Sequence, residues 1–379
     1  MKPKEISPVK VAVVIPTHAD IKSSLHALLN VYSYLMKTKN IHVAIFTDIS
    51  NESAYPGFDV VKIKGFDYNT FLSKVLLVLG IPRYYYIDLI EKLKGYDVIE
   101  TSNPEFYIFA YQSYLAAKKY KAKLILRTSQ TVEGFFLFKL TKYMVVPVAK
   151  KAYDYASWLF FTNTDAAQRA ERLGLMEKDS KRKVIIGHAT DASVFKPLGI
   201  KKARRIVLLS VAGLYRIKGH HLIIEAFAKV RKKYDAELWI AGEGYYKKHL
   251  EELAENLGVR KSVKFLGGKT KEELAIIYNK AFIFVLANYQ EITPAVNEAL
   301  ACGIPVVVME CGGRKFVIPN ETYGLVSKKF DTDDMASKII RLIENKELAR
   351  KLAKKGREYI LKNFSVEKAA EKFYNAFIE

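Results

Sequence analysis

The sequence predicts an α/β protein built from two Rossmann-like, doubly wound domains that face a central cleft. Apolar runs of about five residues alternate with longer segments of helical period along the whole chain, as in parallel α/β sheets. The alternation starts afresh after FKPLGIKKARR at 195–205, a stretch of proline, glycine and basic residues. The 379 residues, half of them apolar, suffice for two cores of ordinary size.

The predicted domains lie at 1–195 and 196–360, followed by a helix at 361–379 that would pack back on the first domain. The predicted strands are Val11–Ile15, Val43–Thr47, Val60–Ile63, Val98–Glu100, Leu124–Arg127, Trp158–Thr162, Ile206–Val211, Glu237–Ala241, Val263–Leu266, Phe282–Leu286 and Pro305–Met309. The predicted helices are Ser23–Met36, Glu105–Lys119, Gly219–Lys233, Tyr246–Leu257, Lys271–Ala281, Pro294–Ala301, Asp333–Arg341 and Lys346–Phe377. In such sheets ligands bind beyond the carboxyl ends of the strands.

Cysteine count and hydropathy restrict the class of protein. Two cysteines, Cys302 and Cys311, exclude a disulfide framework and predict reduced thiols. The first ten residues lack the apolar core of a signal peptide, and no stretch reaches the roughly 18 consecutive apolar residues of a transmembrane helix. We therefore expect a cytoplasmic protein, soluble or peripheral at the inner membrane face.

The formal net charge of +21 favours anionic partners: a phosphorylated substrate, an anionic membrane surface or nucleic acid. A lysine-rich surface of a thermophilic or archaeal protein would produce the same balance. Because no nucleic-acid-binding motif accompanies the charge, no nucleic-acid partner is predicted.

A candidate phosphate-binding loop occurs in VAGLYRIKGHHLIIEAF at 211–227, between a predicted strand and helix. It contains Gly213, Arg216, Lys218 and Gly219. A helix N-terminus offers free N–H groups and a partial positive charge to an anion, and the two cations add full charges. The alternative is an ordinary strand–helix turn with solvated cations.

A second helix start occurs in YQEITPAVNEALACG at 289–303. Thr293 is predicted as the N-cap and Pro294 as the first helical residue, with Gly303 just past the end. The free N–H groups of Ala295 and Val296 would point to the same site.

Two carboxylates accompany that helix. Glu291 precedes it, and Glu298 lies on its second turn among Ala, Val, Leu and Cys, where a lone carboxylate is costly to bury. A hydroxyl-rich ligand, such as one containing ribose, would supply a partner for Glu298. The alternative is an ion pair with a neighbouring lysine.

Glycines at other strand ends complete the candidate site. Gly242 and Gly244 follow one predicted strand in AGEGYY, and Gly267 follows the next. In ECGGRKFV at 310–317, a glycine pair allows close backbone approach, and Arg314 or Lys315 would reach an anion.

With these motifs the chain resembles the family 4 glycosyltransferases, retaining enzymes of the GT-B fold. The resemblance runs from about Val11 to the end and is most specific from Ile185 onward. It rests on IIGHATDASVFKP at 185–197, the 211–227 loop, LWIAGEGYYKKHLEELAENLGVRKSVKFLGGKTKEELAIIYNKAF at 238–282, NEALACGIPVV at 297–307 and GGRKFVIPNETYGLV at 312–326.

The resemblance implies transfer of a hexose from a UDP- or GDP-linked donor with retention of anomeric configuration. Lys218 maps onto a lysine that holds the diphosphate, and Glu298 onto a glutamate that binds the ribose. Glu291 is assigned to the first glutamate, near the phosphates and the transferring sugar, so Lys218 and Glu291 are the predicted catalytic residues. No cofactor or metal ion is expected.

The sequence departs from the family pattern at two donor-site positions. The family's arginine, five residues before the lysine, is Gly213 here, and Arg216 is the candidate replacement. The family's two glutamates are eight positions apart, so strict counting places Gln290 in the first position, whereas a one-residue loop deletion places Glu291 there. We favour Glu291 because loops tolerate deletion better than helices do.

The first domain is predicted to bind a glycan, lipid-linked or small-molecule acceptor. It lacks the family's glycine pair, having PTHADIKSS at 16–24, and the family's histidine, having RTSQTVEGF at 127–135. The candidate acceptor contacts are His18, Ser129 and Gln130.

Two segments, 66–94 and 135–161, combine aromatic, apolar and basic residues. They suit a peripheral contact with an anionic membrane or, alternatively, core helices of the first domain. The departures from the pattern also leave open a non-catalytic or divergent protein of this fold: a sugar-nucleotide-binding protein, an epimerase or a phosphorylase.

Overall fold

A computed structural model of the chain describes residues 7–15, 22–48, 55–65, 85–103, 107–128 and 138–379, without the side chains of 22–26, 138–142 and 144. The chain forms two compact units, one of Met1–Gly187 with Val366–Glu379 and one of His188–Ser365. Their limits differ from the predicted boundaries at 195/196 and 360/361. They differ because the first unit ends with a short strand, Lys183–Ile185, and because a helix break at Ser365 separates the last helix from the second unit. The periodicity of the sequence shows neither feature.

The first unit contains a parallel sheet with the strand order β3-β2-β1-β4-β5-β6-β7. Its strands are β1 Val9–Val14, β2 Ile41–Thr47, β3 Asp59–Lys62, β4 Val98–Ser102, β5 Lys123–Thr128, β6 Trp158–Phe161 and β7 Lys183–Ile185. The sequence did not predict β7, which is only three residues long and half-buried throughout. It pairs with β6 and so brings the end of the first unit to Gly187.

The helices described in the first unit are α1 Lys22–Thr38, α2 Leu89–Lys92, α3 Ile108–Tyr120, α4 Phe138–Tyr155, α5 Thr164–Arg172 and the C-terminal helix Val366–Ile378. The C-terminal helix packs on α1, where Phe373 lies edge-on to Tyr32 at 5.6 Å between ring centroids. Phe160 of β6 also lies edge-on to the Phe373 ring, with 4.6 Å between the ring centroids.

The aromatic segments at 66–94 and 135–161 are only partly described. Tyr86 is fully buried, and its hydroxyl donates to Asp48 at 3.0 Å, so this tyrosine belongs to the core. In α4, Ala149 and Tyr153 are buried, whereas Tyr143 is 76% exposed. No helix within the described ranges is both long and apolar enough to cross a bilayer. Membrane contact stays a prediction.

The second unit contains a parallel sheet with the strand order β10-β9-β8-β11-β12-β13. Its strands are β8 Ile206–Val211, β9 Ala236–Ala241, β10 Val263–Gly267, β11 Ile283–Leu286, β12 Val306–Met309 and β13 Leu325–Ser327. Only β13, again three residues long, was not predicted. Both faces of the sheet are buried: Leu208 and Val285 pack on one side, Leu209 and Phe284 on the other. The predicted fold class, α/β with two Rossmann-like units, is confirmed.

The helices of the second unit are α6 His220–Arg231, α7 Lys247–Asn256, α8 Lys271–Lys280, α9 Pro294–Ala301, α10 Arg314–Val317, α11 Thr332–Glu344 and α12 Lys346–Phe364, with 3-10 turns at Arg216–Lys218 and Arg260–Ser262. Local sequence explains their starts. Thr270 and Glu273 form a reciprocal capping box at α8, and Asp331 accepts a hydrogen bond from the Asp334 N–H at α11.

The predicted continuous helix over 346–377 is wrong. Ser365 adopts an extended conformation between α12 and the C-terminal helix, with φ −67° and ψ 158°. It forms a parallel bridge with Thr190, whose N–H donates to the Phe364 carbonyl at 2.7 Å. These contacts replace helical hydrogen bonds, so the chain leaves the second unit at Ser365 and returns to the first.

Candidate functional site

The carboxyl edge of the second sheet has a topological switch point between β8 and β11. Strands β9 and then β10 lie on one side of β8, and strands β11, β12 and β13 follow in that order on its other side. Loops that leave neighbouring strands in opposite directions open a crevice, which is the usual ligand position in such sheets. The predicted glycine loops follow β8, β9, β10 and β12, so they share this edge.

Close backbone contacts join these loops. A Cβ built on Gly219, which has φ +69°, would lie 2.0 Å from the Ala287 carbonyl oxygen after β11. A Cβ on Gly242, with φ +143°, would lie 2.0 Å from the Ala212 oxygen after β8. Glycine is therefore required at both positions for the loops to meet.

Further hydrogen bonds hold the loops in register. The Tyr289 N–H donates to the Ile217 carbonyl at 3.0 Å, linking the β11 and β8 loops. The Leu214 N–H donates to the Glu243 carbonyl at 2.8 Å, and the Gly242 N–H to the Gly267 carbonyl at 2.9 Å. Gly244 packs against Leu214. The sequence-predicted glycines thus belong to one connected set of loops.

The β8 loop presents two cations on a 3-10 turn that ends at Gly219. Lys218 is half-buried, and Arg216 is exposed. Neither side chain forms an ion pair with a carboxylate in the described part of the chain. Both cations therefore remain available to an anionic ligand.

Gly213 lies at the position where the resemblance implies an arginine. A Cβ at this position would lie 2.7 Å from the Tyr215 ring, which occupies the space that a longer side chain would enter. A side chain longer than glycine at 213 would therefore require the Tyr215 ring to move. Periodicity and motif spacing gave no signal for Tyr215.

Glu291 lies half-buried in the β11 loop and makes a parallel bridge with Gly312 of the β12 loop. Burial raises the pKa of its carboxyl to about 7, and the positive charge of Lys218 opposes that shift. Its Oε2 is buried and has no hydrogen-bond partner among the described residues. The neighbouring Gln290 side chain is exposed. Glu291 is therefore the carboxylate that shares its surroundings with Lys218.

Helix α9 begins as predicted, with Thr293 at the N-cap, Pro294 in the first turn and Gly303 just past the end at φ +72°. Thr293 makes no side-chain cap hydrogen bond. Within the described structure its Oγ1 is buried and without a partner. The helix start near Ala295 thus combines a free hydroxyl with the partial positive charge of a helix N-terminus.

Glu298 contacts Tyr278 of α8. The Tyr278 hydroxyl donates to its Oε2 at 2.9 Å, and Tyr278 itself is fully buried. Burial raises the pKa of Glu298 to about 7, against the lowering effects of that hydrogen bond and of Lys271. One hydroxyl donor leaves the second carboxylate oxygen for another donor.

Arg314 does not fill the predicted anion-binding role. It is buried, and its guanidinium donates to both Glu310 oxygens, the shortest contact being 2.6 Å, and to the Ile318 carbonyl at 2.9 Å. Because Arg314 is buried and already hydrogen-bonded at its guanidinium, it holds the start of α10 to the end of β12 rather than a ligand. Lys315 is exposed.

His220 is a buried residue of the site that sequence reasoning missed. Its Nδ1 lies 3.3 Å from Ser210 Oγ, and its Nε2 lies 3.3 Å from the Ala212 carbonyl oxygen. Burial lowers its pKa to about 4. A neutral imidazole therefore ties the start of α6 to the end of β8, beneath the Lys218 loop. His18, Ser129 and Gln130 lie outside the described residues.

Comparison with known proteins finds one family model that matches part of the chain. Residues 194–359 match the glycosyl transferases group 1. The matched region contains the switch-point loops, Lys218, Glu291 and Glu298. It lies entirely within the second unit, so the match concerns that unit rather than the whole chain.

Curated relatives also match part of the chain. N-acetyl-α-D-glucosaminyl L-malate synthase of Bacillus anthracis is 26% identical over 184 residues, which are 48% of this chain and 48% of that protein. The lipopolysaccharide core biosynthesis glycosyltransferase LpsE of Rhizobium meliloti is 28% identical over 226 residues, 56% of this chain and 64% of that protein. The chain thus aligns with about half to two thirds of their length.

A solved structure matches the whole chain. HepE from Anabaena, in complex with UDP and glucose, superposes with a TM-score of 0.76 at 15% identity, covering 97% of this chain and 98% of that one. This likeness shows a shared fold across both units.

Proposed function

We propose that this chain is a retaining glycosyltransferase that moves a hexose from a UDP- or GDP-linked donor to a glycan, lipid-linked or small-molecule acceptor. The observation that carries the proposal is the meeting of Lys218, Glu291 and the start of α9 at one switch point, inside the region that matches glycosyl transferases group 1. UDP is the first nucleotide to test, because HepE of similar fold is known with UDP and glucose.

In the proposed complex, the donor diphosphate lies against Lys218, Arg216 and the N–H groups at the start of α9. Full charges and a helix N-terminus at one position suit a diphosphate, which is the group that gains negative charge as the sugar leaves. The ribose hydroxyls donate to Glu298, whose single hydroxyl donor in the structure is Tyr278. Thr293 Oγ1 would supply one more contact.

The reaction breaks the bond between the anomeric carbon and the donor phosphate oxygen. The acceptor oxygen attacks the same face within the resulting ion pair, and the acceptor proton moves to the departing phosphate oxygen. Lys218 and the α9 N-terminus stabilise the diphosphate, and the free Oε2 of Glu291 accepts a hydrogen bond from a hydroxyl of the transferring sugar. No step in this scheme requires a metal ion, so activity is expected to persist in EDTA.

The acceptor is proposed to bind the first unit, with His18, Ser129 and Gln130 as the candidate contacts. A relative named for lipopolysaccharide core biosynthesis makes a lipid-linked glycan a suitable first class to test.

A second candidate function is sugar-nucleotide binding without transfer. Gly213 and the Tyr215 ring that fills its surroundings favour it, because they remove a cation from the diphosphate position. The two functions differ in turnover rather than in donor binding.

The test is a thermal-shift screen of UDP, GDP and their hexose conjugates, followed by product analysis with lipid-linked glycan acceptors. A native-state ligand raises the unfolding temperature by mass action. We expect a shift with one nucleotide class that Lys218→Ala and Glu298→Ala abolish, and an α-linked product from an α-linked donor. A shift without product across acceptors would favour the binding protein, and no shift with either nucleotide would overturn both functions.

A further inference from the structure

A cavity of the second unit lies at the amino-terminal edge of its sheet, opposite the crevice that the glycine loops form. It has a volume of about 440 Å³. Its floor is formed by Ile206 and Ile283, the first residues of β8 and β11, and by Pro305 just before β12. A six-residue strand is about 20 Å long, so the full length of β8 separates this cavity from the Lys218 loop.

The walls of the cavity are apolar. Leu342 of α11 is buried, and Ala349 and Ala353 face the cavity from α12. Phe282 lines it as well and is 36% exposed. The alanine side chains are small and leave the space open. Because removing apolar surface from water is favourable, binding of an apolar ligand in this solvent-exposed cavity would lower the free energy.

Charges around the cavity have one sign. Its lining includes three cations, Lys202, Lys346 and Arg350, and no carboxylate. Lys202 donates to the Ala281 carbonyl at 2.5 Å. Lys346 and Arg350 are exposed at the start of α12, and neither is paired with a carboxylate in the part of the chain described. An anionic group above an apolar body would complement both features.

We propose that this cavity binds the acyl chain of an anionic amphiphile, with its head group held by Lys346 and Arg350. The apolar walls would cover the chain, while the two exposed cations would pair with a carboxylate or phosphate at the mouth. A free fatty acid and an anionic phospholipid share this chemistry. The proposal does not depend on the donor site, which lies at the other edge of the sheet.

Calorimetric titration of the full chain with dodecanoate and dodecanol, below their aggregation concentrations, tests the proposal. We expect one dodecanoate per chain, bound at least tenfold more tightly than dodecanol. Ala349→Trp should fill the cavity and abolish binding, and Lys346→Glu with Arg350→Glu should weaken it at least tenfold. The matched control is Lys351→Glu with Lys354→Glu, which makes the same charge change at exposed positions of the same helix outside the cavity.

Circular dichroism and the unfolding temperature establish that each variant folds. Should Ala349→Trp not fold, the two charge-reversal pairs still decide the question, because both alter exposed side chains only. Equal loss of binding in both pairs, equal affinity for dodecanoate and dodecanol, or full binding by a folded Ala349→Trp variant would each overturn the proposal.

Cosedimentation with phosphatidylcholine vesicles, with and without phosphatidylglycerol, distinguishes the two ligand sources. If the Ala349→Trp variant loses binding to phosphatidylglycerol vesicles together with dodecanoate binding, the ligand is a membrane lipid. If only dodecanoate binding is lost, the ligand is a free fatty acid. Both outcomes support the site.

Discussion

Gly219 lies against Ala287 so closely that a side chain on Gly219 would meet the Ala287 carbonyl oxygen at 2.0 Å. This contact joins the loop after β8 to the loop after β11, the two sides of the switch point. It also fixes the position of Lys218, the residue immediately before the glycine. The close approach of the two loops therefore determines the position of Lys218, the candidate phosphate-binding residue.

Gly219→Ala should damage both stability and donor binding. The variant adds a backbone clash to a left-handed conformation with φ +69°, which alone costs about 1–2 kcal/mol for alanine. We expect the free energy of unfolding to fall by more than about 3 kcal/mol, as for other severe steric changes. Denaturant unfolding and UDP-hexose titration measure the two effects.

Gly258→Ala is the matched control for this prediction. Gly258 has nearly the same conformation, φ +68°, but no atom lies within 4 Å of an added Cβ. It should therefore lose only the conformational part, about 1–2 kcal/mol, and keep donor affinity. Equal losses in the two variants would show that the contact with Ala287 has no special role.

Lys218→Met should reduce kcat/KM for the donor at least 100-fold, whereas Arg216→Met should reduce it less than tenfold. Lys218 is half-buried beside Glu291, and Arg216 is exposed, where water and salt screen its charge. Steady-state kinetics with UDP-hexose at two salt concentrations measure both values. If Arg216→Met is the more damaging change, Arg216 is the principal phosphate ligand and the assignment of Lys218 fails.

Glu298→Gln should stabilise the unliganded protein at high pH while abolishing nucleotide binding. Burial raises the pKa of Glu298 from 4.5 to about 7, so the folded state binds more protons than the unfolded state between these values. Wild-type stability therefore falls as pH rises from 4.5 to 7, by about 3 kcal/mol for this group, and stays lower above pH 7. Glutamine keeps an acceptor for Tyr278 and does not ionise.

Unfolding curves at pH 4 and pH 8 check this sign. The variant should match wild type at the lower pH and exceed it at the higher one. A variant that is less stable than wild type at pH 8 would mean that the Glu298 carboxylate is already paired in the unliganded protein.

Local sequence was enough to predict most of the second unit. Strands β8 and β12, the N-cap Thr293 and the C-terminal Gly303 follow from periodicity and capping chemistry, which act over a few residues. The strands that escaped prediction, β7 and β13, are three residues long and too short to show a period.

The features of the site that the sequence did not predict are of two kinds. Some depend on contacts between residues distant in sequence, and others depend on which partner a side chain already binds. Tyr278 contacts Glu298 from another helix, twenty positions away. Arg314 was predicted as a candidate to bind an anion because its loop follows a strand. In the structure its guanidinium already donates hydrogen bonds to Glu310. A motif shows which residue types are present, and only the fold shows which of them are already paired.

His220→Gln should make stability less sensitive to acid. The folded pKa of about 4 lies below the ordinary 6.5, so the unfolded state gains a proton first as pH falls. Stability from this group is complete above pH 6.5 and lost progressively toward pH 4, on the order of 3 kcal/mol. Unfolding temperatures between pH 7.5 and 4 should show a shallower acid limb in the variant, and an unchanged limb would contradict the buried neutral imidazole.

Glu291→Gln should lower kcat at least 100-fold, while Gln290→Ala should change it less than threefold. Glu291 has a buried, unpartnered oxygen beside Lys218, whereas Gln290 is exposed and its backbone carbonyl, not its side chain, accepts from the Gly312 N–H at 2.9 Å. Single-turnover rates at saturating donor separate the chemical step from binding. Because both residues lie in the same short loop, general loop damage would affect both variants alike. A large loss in Gln290→Ala with a small one in Glu291→Gln would instead mean that the eight-residue spacing of the family is kept and that an amide, not a carboxylate, faces the transferring sugar.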